Sequence, residues 1–526
     1  MKKIFTISVL FSLVTCAWAQ GTNKIGMTNP DFIPEFNQND VNVTGVSPKG
    51  DYIYGMNGSG SAAIYALDRE NPFIFLEASP SDYFGISIAG ITTDDKALVS
   101  HYSNSYFLDL NDNTKINLES PDSKYGLDAW DMSADGTIIG CNLTTEDFIV
   151  IPMVATKQED GTFKMTYLDY DPEDAMGCAA QYTQVRFVSD DGKYIMGIQP
   201  DNRGMGGRPV VWILQEDGTY KFTTPLDEYL YDFTYEKPGV APEWDDIVTA
   251  DPDKDPGLFN QQMEEFNKVF DEYEKNYAEF TRNRSALEIY MMNKGTRCNT
   301  LCMAYWDNRN ATAENSEAQL IPVFYDCETD KITEYPEMVN SFGIEQLPGG
   351  GHIVATDNAS FYSLTAIDNE GNKKPFEEWL TDFTGTDISK DFEFTFYDFM
   401  NDEEITGVFP GLPYFSNDGK TLALGATDPE MGTISAVLKF DSDVFATTST
   451  GIKADVADEV VVKNNIITIG NGRHGVAEVY TLNGVKCGTY EINGNLNLNN
   501  TIAKGTYLIK INIENEKSIS LKMMVK

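Results

Sequence analysis

Carboxylates are the only reactive side chains this chain holds in quantity: 81 acidic residues against 39 basic ones, three histidines and seven cysteines in 526 residues. The chemistry open to such a set is proton transfer between carboxyl groups, oxygen ligation of a hard cation, or hydrogen bonding to a hydroxylated ligand. Asp251-Pro252-Asp253-Lys254-Asp255 offers oxygens at positions 1, 3 and 5 of a calcium-type loop. Pro256 stands where such loops have Gly, and Gln262 where they have Glu, so a solvated acidic loop capping a helix is the competing reading. Trp244-Asp245-Asp246 pairs an aromatic platform with acids, a combination suited to sugar binding or glycoside hydrolysis.

Beyond the carboxylates, no catalytic motif is present. There is no Gly-x-Ser-x-Gly elbow, no phosphate loop and no His-Glu-x-x-His. His101, His352 and His474 are far apart in sequence, and His352, within Gly349-Gly350-Gly351-His352, reads as an exposed turn residue. A Ser-His-Asp triad would have to use His101 or His352. Removal of a leader leaves six cysteines, Cys141, Cys178, Cys298, Cys302, Cys327 and Cys487, too few for a disulfide framework in so long a chain. Cys298 and Cys302 would lie ~13 Å apart on a strand, and on a helix they lack a nearby histidine, so small buried hydrophobes is the reading taken. No residue is therefore assigned a catalytic, cofactor-binding or metal-binding role, and no cofactor is expected.

The elements that must position these groups are strands. A block consisting of a strand, a short turn with Ser or Thr, Asp and Gly, and an alternating strand recurs along the acidic region. It reads Gly45-Val46-Ser47-Pro48-Lys49-Gly50-Asp51-Tyr52-Ile53 first, then Ile91 to Leu98, Met132 to Gly140, Val188 to Gly197 and Phe415 to Leu422. Leu347 to Val354 is a degenerate copy and Met292-Asn293-Lys294-Gly295-Thr296 the weakest. Hydroxyl and carboxylate side chains satisfy the turn backbone, and Gly supplies positive φ. An apolar third strand follows each hairpin, as in Ala63 to Asp68, Val210 to Asp217 and Ala436 to Asp441, and a weaker fourth usually comes next. The turn positions 50, 95, 136, 192, 295, 350 and 419 are 41 to 69 residues apart, except for one gap of 103. Four strands at that interval predict an all-β chain with a β-propeller over residues 20–446, seven blades on this count, with six or eight left open. No Gly-His…Trp-Asp pair recurs, so no WD40-type partner is inferred.

The long gap predicts one helical insertion at about 255–284. Asp255 is placed to cap it and Pro256 occupies its first position. Phe259, Met263, Phe266, Phe270, Tyr273, Tyr277 and Phe280 then form one aromatic stripe, expected to pack on its own domain, with a lid or partner surface as the alternative. Leu287 to Met292 is read as the first strand of the fifth blade rather than a second helix.

The two ends differ from the middle. Lys2 and Lys3, the apolar run Ile4 to Val14 and Ala17-Trp18-Ala19 predict a signal peptide over 1–19. A lipoprotein box ending at Cys16 is a minor alternative, and no segment has the ~20 apolar residues of a membrane span. Residues 452–526 carry nine basic and seven acidic residues, after a linker at 447–451. The formal −42 of the whole chain thus concentrates to −46 on residues 20–451. Such charge excludes nucleic acid and anionic membrane surfaces as partners. The tail reads as a small β-sandwich, with strands at Val460 to Ile469, Ala477 to Leu482, Leu496 to Leu498, Gly505 to Ile513 and Ser518 to Val525, and turns at Asn483-Gly484 and Asn493-Gly494.

Three blocks of this tail carry a family resemblance. Ala477-Glu478-Val479-Tyr480-Thr481-Leu482-Asn483-Gly484, Ala503-Lys504-Gly505-Thr506-Tyr507-Leu508-Ile509-Lys510-Ile511 and Lys522-Met523-Met524-Val525-Lys526 resemble, in order, the conserved strands of type IX secretion C-terminal sorting domains. Thr481 stands where that family has Asp. The resemblance covers about a seventh of the chain and implies passage across a Gram-negative outer membrane through the secretion machinery, with surface attachment or release. The expectation is an exported binding protein whose propeller presents a glycan, peptide or protein site. The alternative is a secreted carboxylate-dependent glycan hydrolase or lyase, and a scaffold binding protein partners by its rim is a third. Buried, convergent carboxylates with an aromatic wall at the axis would favour the enzyme; a funnel lined by small polar groups would favour binding.

Overall fold

The computed structural model describes residues 25–526 outside the stretches 80–84, 102–103, 123–124, 147–148, 171–181, 201–206, 231–240, 284–286, 308–318, 359–360, 399–402, 429–431, 447–459, 464–465, 470–473, 482–485, 494, 498–501, 503–504, 514–518 and 526. The leader 1–19 with Cys16, Cys178, the linker 447–451 and the Asn483-Gly484 turn lie outside the described residues. The chain divides into two compact units, with the boundary between Val444 and Phe445.

In the first unit the described strands form seven four-stranded antiparallel groups. Their innermost strands are Val41–Val46, Ile86–Ile91, Gly126–Met132, Gln184–Val188, Leu287–Lys294, Ser341–Gln346 and Leu412–Phe415. The fourth and fifth groups are also joined by a single pair, Gly207 with Ile289. The recurring turn does what its residues predict. Ser47 Oγ donates to Asp51 Oδ1 at 2.6 Å and accepts from Tyr52 N at 3.0 Å. Ser133, Ser189 and Ser416 donate instead to the Asp two residues on, Asp135, Asp191 and Asp418. Positive φ falls on Gly50, Asp95, Gly136, Gly192, Gly350 and Gly419. In the fifth group it falls on Arg297 instead of the expected Gly295. A Cβ on Gly295 would meet Cys298 Sγ at 2.2 Å, so this glycine is held by crowding and not by its φ.

The outermost strand of the seventh group does not follow its neighbours in sequence. Asp31–Phe32, at the other end of the unit, pairs with Val437 and Ala436 of the Gly432–Lys439 strand. Ile33 N extends the pairing to Ser435 O at 2.9 Å, and Ile33 and Phe36 are buried beneath it. The apolar cores lie between adjacent groups. Ile64 and Ala66 meet Ile88 and Val99, Phe107 meets Leu127, and Met196 and Val211 meet Met303 and Val323. A buried apolar side chain of this size contributes about 1.5–3 kcal/mol, so each group is held chiefly by its neighbours.

The insertion contains the helix Pro256–Asn283, and Asp255 Oδ1 accepts from Leu258 N at 3.0 Å, as a capping residue does. Part of the aromatic stripe packs on the short helix Trp244–Ile247, with Trp244 5.2 Å from Phe266. Leu287 begins the strand Leu287–Lys294. A second insertion, between the sixth and seventh groups, supplies the helix Phe376–Thr384 and the hairpin Glu393–Asp398 with Glu403–Val408. Among the described residues no helix is long and apolar enough to cross a membrane.

The second unit is seven strands joined in one hydrogen-bonded path. Ile467, Ala477, Val479, Ile492, Ile509 and Ile511 form its core. A strand at Lys486–Asn493, absent from the sequence reading, lies beside His474–Thr481. The described parts of the three sorting-like blocks lie on adjacent strands, His474–Thr481, Gly505–Ile513 and Ile519–Val525, with Val479 opposite Ile509 and Ile509 opposite Leu521.

Candidate functional site

Six inner strands carry a one-residue bulge three positions before the turn, at Thr44, Ala89, Trp130, Arg186, Met292 and Ile344. A bulge leaves its extra residue unpaired and re-aims its side chain. In every group the inner strand runs toward its recurring turn, and residues of these turns meet at one cavity, so the inner strands run in the same sense, with their beginnings at the opposite end. The connections from each outer strand to the next inner strand, including both insertions, lie at the beginning end.

At the turn end, residues of all seven groups line one cavity of about 110 Å³, among them Thr44, Ala89, Asp131, Asp190, Lys294, Glu345 and Tyr414. Lys294 Nζ lies 2.8 Å from Asp131 Oδ2 and 3.5 Å from Asp190 Oδ1, and donates to Val188 O at 2.6 Å. Burial works against its charge, but Asp131 and Asp190 outweigh it and hold the ammonium above its ordinary value. Val188 N donates to Asp131 Oδ2 at 2.8 Å, and Asp190 Oδ2 accepts from Arg297 N at 2.8 Å and from Asn417. Glu345 accepts from Thr296 N at 2.8 Å and Thr296 Oγ1 at 2.7 Å, and burial pushes its carboxyl up to about 7. Burial also raises the Tyr54 hydroxyl.

Three convergent carboxylates with Tyr54, Tyr414 and Phe415 nearby match in kind the arrangement that would favour an enzyme. The geometry serves another purpose. An ammonium sits between two of the carboxylates, backbone N–H groups occupy their oxygens, and the cavity is well below the ~300–1,000 Å³ of ligand sites. The cluster ties together the third to seventh groups.

The larger opening, about 340 Å³, lies at the beginning end between the second, third and fourth groups. The bulge residue Trp130 lines it and keeps 37% of its surface exposed. Arg186, the bulge residue of the neighbouring strand, lies over the indole at 4.3 Å. Asp128 Oδ1 accepts from Ser100 Oγ at 2.5 Å, and burial pushes this carboxyl up, against the bonds from Ser100 and Trp130 and the charges of Arg186 and His101. Burial pulls the Arg186 guanidinium down, against the charge of Asp128. Ser87, Thr144 and the Gln184 amide add polar groups to the wall.

None of the residues named from sequence for their chemistry belongs to this cavity except through His101's charge on Asp128. Asp251 is exposed and pairs with Lys254 at 2.7 Å, and Asp255 caps the helix, so these acids are engaged locally. Trp244 meets Phe266 of the helix edge to face, with Asp245 and Asp246 exposed beside it. His352, expected in an exposed turn, instead starts the strand His352–Asp357. Its ring is stacked 3.9 Å from Phe324, with Tyr335 Oη 2.8 Å from Nδ1, and burial pulls its pKa down to about 4. His474 is exposed and its Nδ1 lies 2.8 Å from Asn493 Oδ1. The described cysteines are free thiols, and burial raises those of Cys141, Cys298, Cys302 and Cys327. No three metal-ligating side chains group together among the described residues.

No family model and no curated protein matches this chain. Solved structures similar to it include the β-propeller domain of the Trilobed protease from Pyrococcus furiosus, at 8% identity and a TM-score of 0.39, covering 80% of this chain and 99% of that one. The β-propeller domain of Cps50 (Swd1) from Myceliophteria thermophila is 10% identical with a TM-score of 0.37, covering 78% and 99%. An oligogalacturonate lyase in complex with manganese is 9% identical with a TM-score of 0.41, covering 80% and 99%. The fold, all-β with a β-propeller, is read from the chain's own four-stranded antiparallel groups and the cavity they share.

Proposed function

We propose that this is an exported binding protein of the cell surface or extracellular space, carried out by its sorting-like C-terminal unit and receiving its ligand in the Trp130 cavity. The observation that carries the reading is that cavity: an exposed indole on an innermost strand, with Arg186 on the ring and polar groups of three sheets around it. The resemblance of Ala477–Gly484, Ala503–Ile511 and Lys522–Lys526 to type IX sorting domains supports the export route, with the secretion machinery as the partner of this unit. The test is expression in a Gram-negative host possessing that machinery. The intact chain should become accessible to protease added to whole cells, and a chain lacking residues 452–526 should stay in the periplasm. Surface exposure of the shortened chain would overturn the export reading.

Asp128 supports a second reading, a secreted glycan hydrolase or lyase, because a buried carboxyl held upward can donate a proton. Turnover of a glycan that disappears in Asp128→Asn while binding persists would establish it in place of the first.

A further inference from the structure

The Trp130 cavity is lined by Asp128, Gln184, Ser87 and Thr144, and Arg186 lies against its aromatic ring. Arg186 is half-buried, and among the described residues its guanidinium makes no ion pair and no hydrogen bond; it lies over the indole of Trp130 at 4.3 Å, within reach of the Asp128 charge. A guanidinium carries five N–H donors, and those of Arg186 still reach solvent, so they are free to donate to a ligand. The Gln184 side chain, two residues earlier on the same strand, is likewise without a partner among the described residues and can both donate and accept. Asp128, bonded by Ser100 and by Trp130, presents its remaining acceptor capacity next to the ring.

Several ligand classes fit poorly. An anion would meet Asp128 and the acidic unit around it, a cation would meet Arg186, and an apolar molecule would leave Arg186 and Gln184 unpaired. A pyranose meets all the demands. Its C–H face covers an indole, and its adjacent hydroxyls each donate and accept. We propose that the Trp130 cavity is a subsite for a neutral sugar ring, stacked on Trp130 with its hydroxyls shared between Arg186, Gln184 and Asp128. The proposal rests on the reading that this cavity is the ligand site and gives that site its ligand class.

The test is calorimetric titration of the mature full-length chain with tetrasaccharides of glucose, mannose, galactose and xylose, with a tetrauronate, and with a mixture of pentapeptides. One of the neutral saccharides is expected to bind. Trp130→Ala should then weaken it at least about tenfold, and Arg186→Met and Gln184→Ala each by several-fold. Trp130→Phe should keep most of the affinity and show that the strand still folds, and Trp244→Ala, remote from the cavity, should change nothing. Binding of the tetrauronate or of peptides alone, lost in Trp130→Ala, would overturn the sugar proposal and leave the site standing. A neutral saccharide whose binding ignores Trp130, Arg186 and Gln184 would overturn the site itself. Binding of none of the probes would overturn the sugar proposal.

Discussion

Lys294 is a buried cation whose role is read best from its removal. Without it the Asp131 carboxylate loses its counter-charge in the interior, and breaking a buried pair from one side costs about 3–5 kcal/mol. Lys294→Met should therefore lower unfolding stability in urea by that amount, and adding Asp131→Leu should restore part of it; an unchanged midpoint would refute the pin. Glu345 gives a pH signature. Its folded pKa, about 7, lies above its unfolded value, so the native state holds more protons and stability falls as pH rises through about 4.5 to 7. The lost stability is roughly 3 kcal/mol above that window, and Glu345→Gln should flatten this limb in denaturation curves taken between pH 4 and 8. Neither residue was singled out from sequence, although the repeat register contains the signal. Immediately before the turn stand Val46, Ile91, Met132, Val188 and Phe415, but Lys294 in the fifth copy, and two positions before it Gly45, Gly90 and Phe187 give way to Glu345 in the sixth. Three positions before it, Thr44 and Ala89 give way to Trp130 and Arg186. The copies are alike in their turns and differ in the side chains that face the axis.

Elements were more legible, because hairpins and caps are local. Ser133-Ala134-Asp135-Gly136 spells its own turn, and Asp255-Pro256 spells a helix start; in both, the bonding partners lie within five residues. Asp255→Ala should cost that helix about 1 kcal/mol, seen as faster amide exchange over Pro256–Asn283 with no change in the seven sheets. The strand Asp31–Phe32 was illegible: two residues carry no periodicity, and their partners are about 400 residues away. Deleting residues 20–32 should speed amide exchange in Gly432–Lys439, and protection identical to the intact chain would show that the pairing contributes nothing. His352 misled for a related reason, since three glycines before it look like a loop while Phe324 and Tyr335, which hold its ring, come from the preceding sheet.

At the scale of the molecule, the charge of −46 on residues 20–451 is a standing repulsion, broken only by pins such as Lys294 and pairs such as Arg208 with Asp227. Raising salt from about 10 mM to about 1 M shortens the Debye length from ~30 to ~3 Å and should raise the melting temperature of the acidic unit but not that of the +2 tail, in a calorimetric scan that resolves both. A fall in the first transition would contradict this. The pairing of Asp31–Phe32 with Gly432–Lys439 has a kinetic consequence as well. The last sheet cannot be completed until the seventh inner hairpin exists, so the opening residues must wait, unattached, through the emergence of almost the whole unit. Contacts of such sequence separation form late, and until then the waiting edge is a template for any strand of like pattern. At high concentration the strand nearest to hand belongs to another molecule, and refolding from denaturant should pass through dimers that have exchanged their first strands, in a yield that falls as the chain is diluted.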